Sequence, residues 1–276
     1  MIRKTRPPLF PGLRVSLGIT LTVLGFLVLI PLAALVLKSI SGGWLHAWQT
    51  IIDPRLLASY RLSFGVAALA ALFDGVIGGL AAWVITRYEF PGRRFLDALV
   101  DLPIALPTAV AGIALTALYA PNGWLGGPLL RWGIHAAYSP LGIFLALSFI
   151  GFPFVVRTLQ PALQGLPKEY EEAAACLGAG RWSTIVRVVV PAVLPAWLTG
   201  IVLALGRGVG EYGSVVFIAG NLPFKTEIVP LLIVSKLEQY DDAGAAAVGT
   251  IMLFFSVIIL AVFHRVSAWN RRRLGA

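Results

Sequence analysis

Arg207 and Glu211 stand four residues apart within an apolar stretch of the chain. On a helix that spacing puts both side chains on one face, where they can pair. A charged side chain in hydrocarbon costs about 2.5 to 3.5 kcal/mol on insertion scales, so each needs a partner or water, and each supplies one for the other. Gly206, Gly208, Gly210 and Gly213 surround the pair and offer surface that a second helix can approach closely. The pair therefore reads in two ways, as an element of a gate or translocation path or as an internal ion pair that keeps helices in register. Asp74 is a third ionisable residue inside an apolar segment. It has no evident partner nearby in sequence, and Gly75, Gly78 and Gly79 beside it favour a structural or helix-contact role.

Other chemistries lack their residues. A phosphate loop needs Gly-x-x-x-x-Gly-Lys-[Ser/Thr], and none of Lys4, Lys38, Lys168, Lys225 or Lys236 follows a glycine. His46, His135 and His264 are far apart without zinc-ligand spacing, so they read as interfacial or loop histidines and no metal site is expected. Asp241-Asp242 is a single acidic pair near Lys236 and Glu238 that reads as a solvated helix start. A membrane-embedded enzyme would need histidines or carboxylates clustered on one face. The sequence offers no such cluster, and no catalytic residue is assigned. The single cysteine, Cys176, cannot form a disulfide within the chain.

The elements that must position these residues follow from composition. The chain of 276 residues is 58% hydrophobic and only 13% charged, whereas an ordinary soluble domain is about 25% charged. Such a chain cannot cover its surface in water. Apolar runs at residues 15–37, 62–85, 102–119, 141–156, 192–218 and 243–263 predict an all-α polytopic membrane protein with six transmembrane helices surrounded by lipid. The first run follows a basic start, but at about 23 residues it exceeds the 7 to 15 of a signal peptide's apolar region and reads as an uncleaved helix. Pro31, Pro103, Pro107, Pro153 and Pro195 fall in or beside these runs, and each is expected to kink or start a helix because it lacks a backbone donor.

A net charge of +9 would point to nucleic acid in a soluble chain. Here the basic residues lie between apolar runs, where positive-inside sorting accounts for them, and no nucleic-acid partner is expected. One side collects Arg3, Lys4, Arg6, Arg14, Arg87, Arg93, Arg94, Arg157, Lys168, Arg181, Arg187, Arg265 and Arg271 to Arg273. The other holds only Lys38, Arg55, Arg61, Arg131, Lys225 and Lys236. Both termini are therefore expected in the cytoplasm. Residues 1–14 form a basic leading segment, 15–264 a single transmembrane domain, and 265–276 a basic tail. The opposite loops carry Trp44, Trp48, Trp124 and Trp132, rings suited to the membrane interface. No internal repeat is evident, which argues against inverted-repeat secondary transporters.

Between the fourth and fifth runs lies the longest loop on the basic side, residues 157–191, far longer than a helix hairpin needs. Pro167 is placed to start a helix, with Glu169, Glu171 and Glu172 in its first turns, where acidic residues favour the dipole. Ala173, Ala174 and Ala175 let another surface approach, Gly178 and Gly180 stop the helix, and Trp182, Ile185 and Val188 make the next segment amphipathic.

Glu172-Ala173-Ala174, three residues, Gly178, nine residues, then Val188, Val190 and Pro191 resembles the E-A-A-x3-G-x9-I-x-L-P signature of ABC importer permeases, with valine replacing Ile and Leu. The resemblance covers nearly the whole chain. Gly210-Glu211-Tyr212-Gly213, preceded by Arg207 and followed by Ile218 to Asn221 and Lys225-Thr226-Glu227, is similar to the pattern of sulfate, thiosulfate and molybdate permeases, with Tyr212 in place of the commoner Phe. So are Leu106 to Gly112, Ala120 to Gly126 and Tyr88 to Arg94. With Glu238 to Asp241, these segments are most similar to the T-type subunit of sulfate and thiosulfate importers, molybdate or tungstate permeases being the alternative.

This resemblance implies the type I ABC importer transmembrane fold in a bacterial-type inner membrane. It also implies that Glu172, Ala173, Ala174 and Gly178 belong to a coupling helix that docks on an ATPase subunit. The implied partners are a W-type permease subunit in a heterodimer, two ATPase subunits that bind ATP and Mg, and a sulfate- or thiosulfate-binding protein. No cofactor is implied for this chain itself. Arg207, Glu211, Tyr212 and Asp74 are the candidates for the pathway or gate.

Overall fold

A computed structural model describes residues 13–273. Most of the basic leading segment 1–14, and residues 274–276 of the tail 265–276, lie outside the described residues. Helix α1 covers Val15–Ile40, α2 Trp44–Ile51, α3 Pro54–Arg87, α4 Arg93–Val100, α5 Leu102–Ala105, α6 Thr108–Tyr119 and α7 Gly126–Arg131. Beyond these, α8 covers Pro140–Gln164, α9 Glu169–Cys176, α10 Arg181–Val209, α11 Val215–Ile218, α12 Val229–Glu238 and α13 Asp242–Arg273. No strand occurs among the described residues.

Five of these helices, α1, α3, α8, α10 and α13 as far as Ala261, are long and apolar enough to cross a membrane. Arg93–Ala105 and Thr108–Tyr119 pass the same test only when taken together, and the two meet at 110°. Pro107 accounts for the bend. It has no N–H to continue a helix, and it drives the residue before it out of the helical region; Leu106 is accordingly extended, at φ −80° and ψ 136°. The run at 102–119 is therefore not one straight span. The fifth run is also shorter at its far end than residues 192–218 implied, because α10 stops at Val209 and α11 is a separate turn. Gly206, Gly208 and Gly210 lower helix propensity there.

The prolines act unequally. Helical turns widened to π geometry at Gly25–Leu29 and Ile185–Val189 lie immediately ahead of Pro31 and Pro191, whose missing donors loosen the preceding turn. Pro153 neither starts nor ends a helix, since α8 runs through both it and Pro161. Pro54 and Pro140 open α3 and α8, after Asp53 and Ser139 whose side chains accept the N–H of Arg55 and Gly142.

The centre of the bundle is α3, α8 and α10 packed together. Lipid is as apolar as leucine, so tight packing and hydrogen bonds hold these helices, not hydrophobic burial alone. A methyl group added at Gly75 would meet Ile201, and one at Gly78 would meet Val155 at 3.1 Å. The indole N–H of Trp197 donates to the Gly75 carbonyl at 2.8 Å, tying α10 to α3. Val155 and Val156 of α8 are fully buried in this seam. Residues 30–40 of α1 pack on α13, but the most apolar stretch of α1 has no residue buried within the chain.

Candidate functional site

Two places, joined by α10, carry the residues singled out in the sequence. The first is the short helix α9. Its N-terminal turn holds Glu169, Glu171 and Glu172, and it ends in a left-handed residue, Gly178 at φ +82°. The Gly178 N–H donates to the Ala175 carbonyl at 2.9 Å and the Ala179 N–H to the Ala174 carbonyl at 3.0 Å. This pair of bonds is the Schellman stop, which glycine permits because it bears no Cβ. Glu172 and Ala173 are exposed and Ala174 is half-buried. Leu177 and Trp182 flank them as bare apolar surface, 89% and 77% exposed. The segment 157–191 thus contains the last turns of α8, all of α9 and the first turns of α10.

Arg87 holds α9 in place, a role its position in the sequence did not disclose. Standing at the last residue of α3, it pairs with Glu171 at 2.8 Å, donates to the Leu166 carbonyl at 3.2 Å and lies over the Trp83 ring at 5.7 Å. Glu171 and Glu172 differ in consequence. Glu171 is committed to Arg87, whereas Glu172 faces a groove of about 420 Å³ shared with Arg87, Lys168, Glu171 and Arg181.

The second place is the break after α10. The chain leaves the helix at Val209, and Glu211 folds inward until its side chain is only 2% exposed. One carboxylate oxygen pairs with Arg207. The other accepts the backbone N–H of Ser214 at 2.9 Å and the Ser214 hydroxyl at 3.1 Å. Arg207 remains about one third exposed. The carboxylate therefore fastens the end of α10 to the start of α11, while the guanidinium reaches open surface. Tyr212 is likewise half-exposed.

The bent helix pair closes against this break. A Cβ on Gly112 would overlap the Ser214 backbone, and one on Gly213 would overlap the Thr108 side chain. The segments 106–112 and 210–213, about a hundred residues apart in the chain, are thus in direct contact. Of the four glycines expected to admit a second helix, Gly208 and Gly213 meet neighbours of this chain, whereas Gly206 and Gly210 face open space.

Asp74 does not join them. It is 1% exposed within the α3, α8 and α10 seam, where a Cβ on Gly151 would collide with its carboxyl group. Neither carboxyl oxygen has a hydrogen-bond partner that meets normal geometry.

The end of the bundle opposite α9 has its own ties. Arg55 grips the buried Glu227 with two hydrogen bonds of 2.7 and 2.6 Å. Asp241 receives the Gly244 N–H at 2.8 Å and Lys236 at 2.9 Å, and lies 3.0 Å from the His46 ring. It starts α13, as its acidic pair indicated. Partial burial raises its carboxyl pKa, but the bonds from Lys236, Gly244 and His46 outweigh that effect and hold it at about 2. Among the described residues no group of three His, Cys, Asp or Glu side chains converges as a metal site would; the side chain of His264 lies outside them.

Comparison with known proteins gives this geometry a family. Residues 74–275 match the model of the binding-protein-dependent transport system inner membrane component. The chain is 47% identical over 263 residues to a probable sulfate transport system permease protein cysT of Nephroselmis olivacea, covering 95% of this chain and 93% of that protein. It is 44% identical over 266 residues to the sulfate transport system permease protein CysT of Escherichia coli (strain K12), covering 96% of each. In fold it is similar to a chain of a bacterial ABC transporter that imports alginate, with TM-score 0.75 at 17% identity over 94% of this chain and 95% of that one. It is also similar to a chain of the MetNI methionine ABC transporter, with TM-score 0.61 at 15% identity over 78% and 95%. The chain is thus an all-α, multi-pass membrane protein that belongs to the inner membrane components of binding-protein-dependent ABC transport systems and, among them, to the family of the sulfate transport system permeases CysT.

Proposed function

We propose that this chain is the T-type permease subunit of an ATP-driven importer of sulfate and thiosulfate, forming the translocation pathway with a W-type permease subunit. The observation that carries the mechanism is that α10 begins five residues after α9 and ends at the Arg207–Glu211 break. One helix of 29 residues therefore links the two places across roughly 40 Å. A displacement of α9 has one continuous helical path to the break.

In this reading Glu172, Ala173, Ala174 and Gly178 form the coupling helix that docks on a partner ATPase, with residues 157–191 as the coupling loop of a single transmembrane domain, 15–264. The exposed Leu177 and Trp182 beside them suit a protein surface better than water. Two ATPase subunits hold ATP and Mg and perform the hydrolysis. A binding protein delivers the anion at the opposite end, near the Asp241 and Glu227 clusters. Both termini and α9 face the cytoplasm of a bacterial-type inner membrane, on the side richer in Lys and Arg. ATP binding shifts the permease pair between inward-open and outward-open states to the extent that the ATPase dimer prefers one of them.

Arg207, Glu211 and Tyr212 lie at the pathway. Glu211 shapes the backbone there, and Arg207 lends positive charge to a passing dianion without a cluster tight enough to retain it. Reconstitution of the chain with the second permease, the ATPase subunits and the binding protein in proteoliposomes tests this function. ATP-dependent uptake of labelled sulfate, inhibited by thiosulfate and little affected by molybdate, is the expected result. Uptake of molybdate in preference to sulfate would overturn the assignment.

A further inference from the structure

Arg157 lies near the end of α8, two turns before the chain leaves for α9. Its Nε and one Nη donate to the two carboxylate oxygens of Asp101, each at 2.6 Å. That same Nη also donates to the Asp97 carbonyl at 2.7 Å. The other Nη donates to the Asp97 carboxylate and to Gln160 Oε1, each at 2.6 Å. A guanidinium has five N–H donors, and all five are used. Gln160 in turn donates to the Asp97 carboxylate at 2.9 Å, closing the network.

This saturation decides what Arg157 can do. It has no donor left for an anion, and the two carboxylates beside it repel one, so it is not a substrate contact. A lone exposed ion pair contributes little to stability. A bidentate arginine with every donor engaged is different, because it fixes orientation as well as distance. What it fixes is the joint between α4 and α5, where Asp101 ends one helix and begins the other. Five residues further on, the crossing bends at Leu106–Pro107, and the residue after the bend, Thr108, touches Gly213 at the break.

We propose that Arg157 is a positioning residue for transport. It clamps the α4–α5 arm to α8, so that a displacement of α9 reaches the bend, and through Thr108 the break at Gly213, from a second side in addition to α10. The clamp is a strut that stays closed throughout the cycle. This inference rests on the reading of α9 as the ATPase docking helix.

The test uses the reconstituted complex and measures sulfate taken up per ATP hydrolysed. Arg157→Gln removes the charge and most donors while leaving α9 and its docking surface unchanged. Its transport-to-hydrolysis ratio is expected to fall about five-fold or more, with hydrolysis stimulated by the loaded binding protein kept within about two-fold of wild type. Arg157→Lys, which keeps charge but loses the fork, should fall between. Asp101→Asn, a milder loss of the same clamp, supplies the measurement if Arg157→Gln does not reach the membrane. An unchanged ratio, whether both activities persist or both decline together, overturns the proposal.

Cysteines placed at 101 and 157, with Cys176 replaced, test the strut directly. Joining them with a short bifunctional thiol reagent should restore the ratio, and a block of transport on joining would mean that the contact opens and would overturn the strut. A wild-type complex without stimulated hydrolysis or sulfate uptake would indict the underlying functional reading, whereas a coupled wild type with indifferent variants indicts this inference alone.

Discussion

Gly112 of α6 sits directly against Ser214 at the break after α10, so close that a methyl group at Gly112 would lie 2.7 Å from the Ser214 Cα and closer still to its carbonyl oxygen. Backbone stands on the other side of the contact and cannot swing away as a flexible side chain could. An alanine in a helix interior ordinarily stabilises by about 1 kcal/mol relative to glycine. Here the sign reverses. Gly112→Ala should cost about 1 to 3 kcal/mol through overpacking and reduce transport, whereas Gly65→Ala, which faces open space on α3, should be neutral or stabilising. Thermal unfolding of the purified variants, read beside uptake, checks both; equal effects of the two substitutions would contradict the contact.

Gly178 separates backbone strain from partner contact. Beyond its chain neighbours, no atom of the described residues lies within 4 Å of a Cβ placed there, yet its φ of +82° is one that side-chain-bearing residues avoid. Gly178→Ala should loosen the end of α9 by about 1 kcal/mol, with a loss of stimulated ATP hydrolysis. Asparagine tolerates the left-handed region better than alanine. Recovery of coupling in Gly178→Asn is the expected outcome if the conformation matters most. If Asn proves worse than Ala, the position is in close contact with the ATPase and size is what counts.

The Asp241 cluster predicts a dependence on acidity at the opposite end of the bundle. The carboxyl is held at about 2, below its ordinary 3.8, so it stabilises the fold fully above about pH 4 and loses that contribution as pH falls towards 2. Lys236 and His46 face it directly, while Asp242 is drawn aside by Lys38 at 3.3 Å. Asp241→Asn should lower the unfolding temperature at pH 7, and the gap from wild type should narrow steadily between pH 4 and pH 2.5. A gap independent of pH over that interval would contradict the role of the charge.

What the sequence disclosed and what it withheld divide along the range of the interactions. The stop at Gly178, the acidic turn from Glu169 to Glu172 and the pairing of Arg207 with Glu211 are local, set by residues within one or two turns, and spacing reveals them. Pro107 announced an interruption but not its angle, which depends on Gly112 and Gly213 letting α6 fold back on the break. Residues 192–218 read as one span because Val215 to Ile218 is as apolar as a helix interior. Gly206, Gly208 and Gly210 weaken the helix there, and the inward turn of Glu211 to cap Ser214 ends it earlier. Arg87 with Glu171, Arg55 with Glu227 and Arg157 with Asp101 join residues tens to hundreds apart. No periodicity encodes such pairs, and the charge of a loop arginine specifies a side of the membrane but no partner.

Arg207 and Glu211 invite a test in which the geometry predicts unequal singles and a non-additive double. Glu211 is buried and serves both Arg207 and Ser214, whereas Arg207 is part-exposed and, among the described residues, bonds to Glu211 alone. Glu211→Ala strips the cap from Ser214 and frees the arginine, which can still turn to its exposed side. Arg207→Ala strands a carboxylate in a poorly hydrated place, a change that costs about 3 to 5 kcal/mol where a buried pair is broken. Removing both leaves no orphan charge, so Arg207→Ala/Glu211→Ala should lose less than the sum of the singles. Glu211→Gln keeps an acceptor for the Ser214 N–H and should preserve membrane abundance better than Glu211→Ala. If Arg207 instead acts chiefly by drawing the dianion through the pathway, deleting Glu211 cannot restore its charge. Sulfate uptake would then fall in Arg207→Ala and in the double variant alike, at normal abundance of both. Uptake measured beside abundance for the four variants distinguishes a pair that builds the break from an arginine that serves the anion.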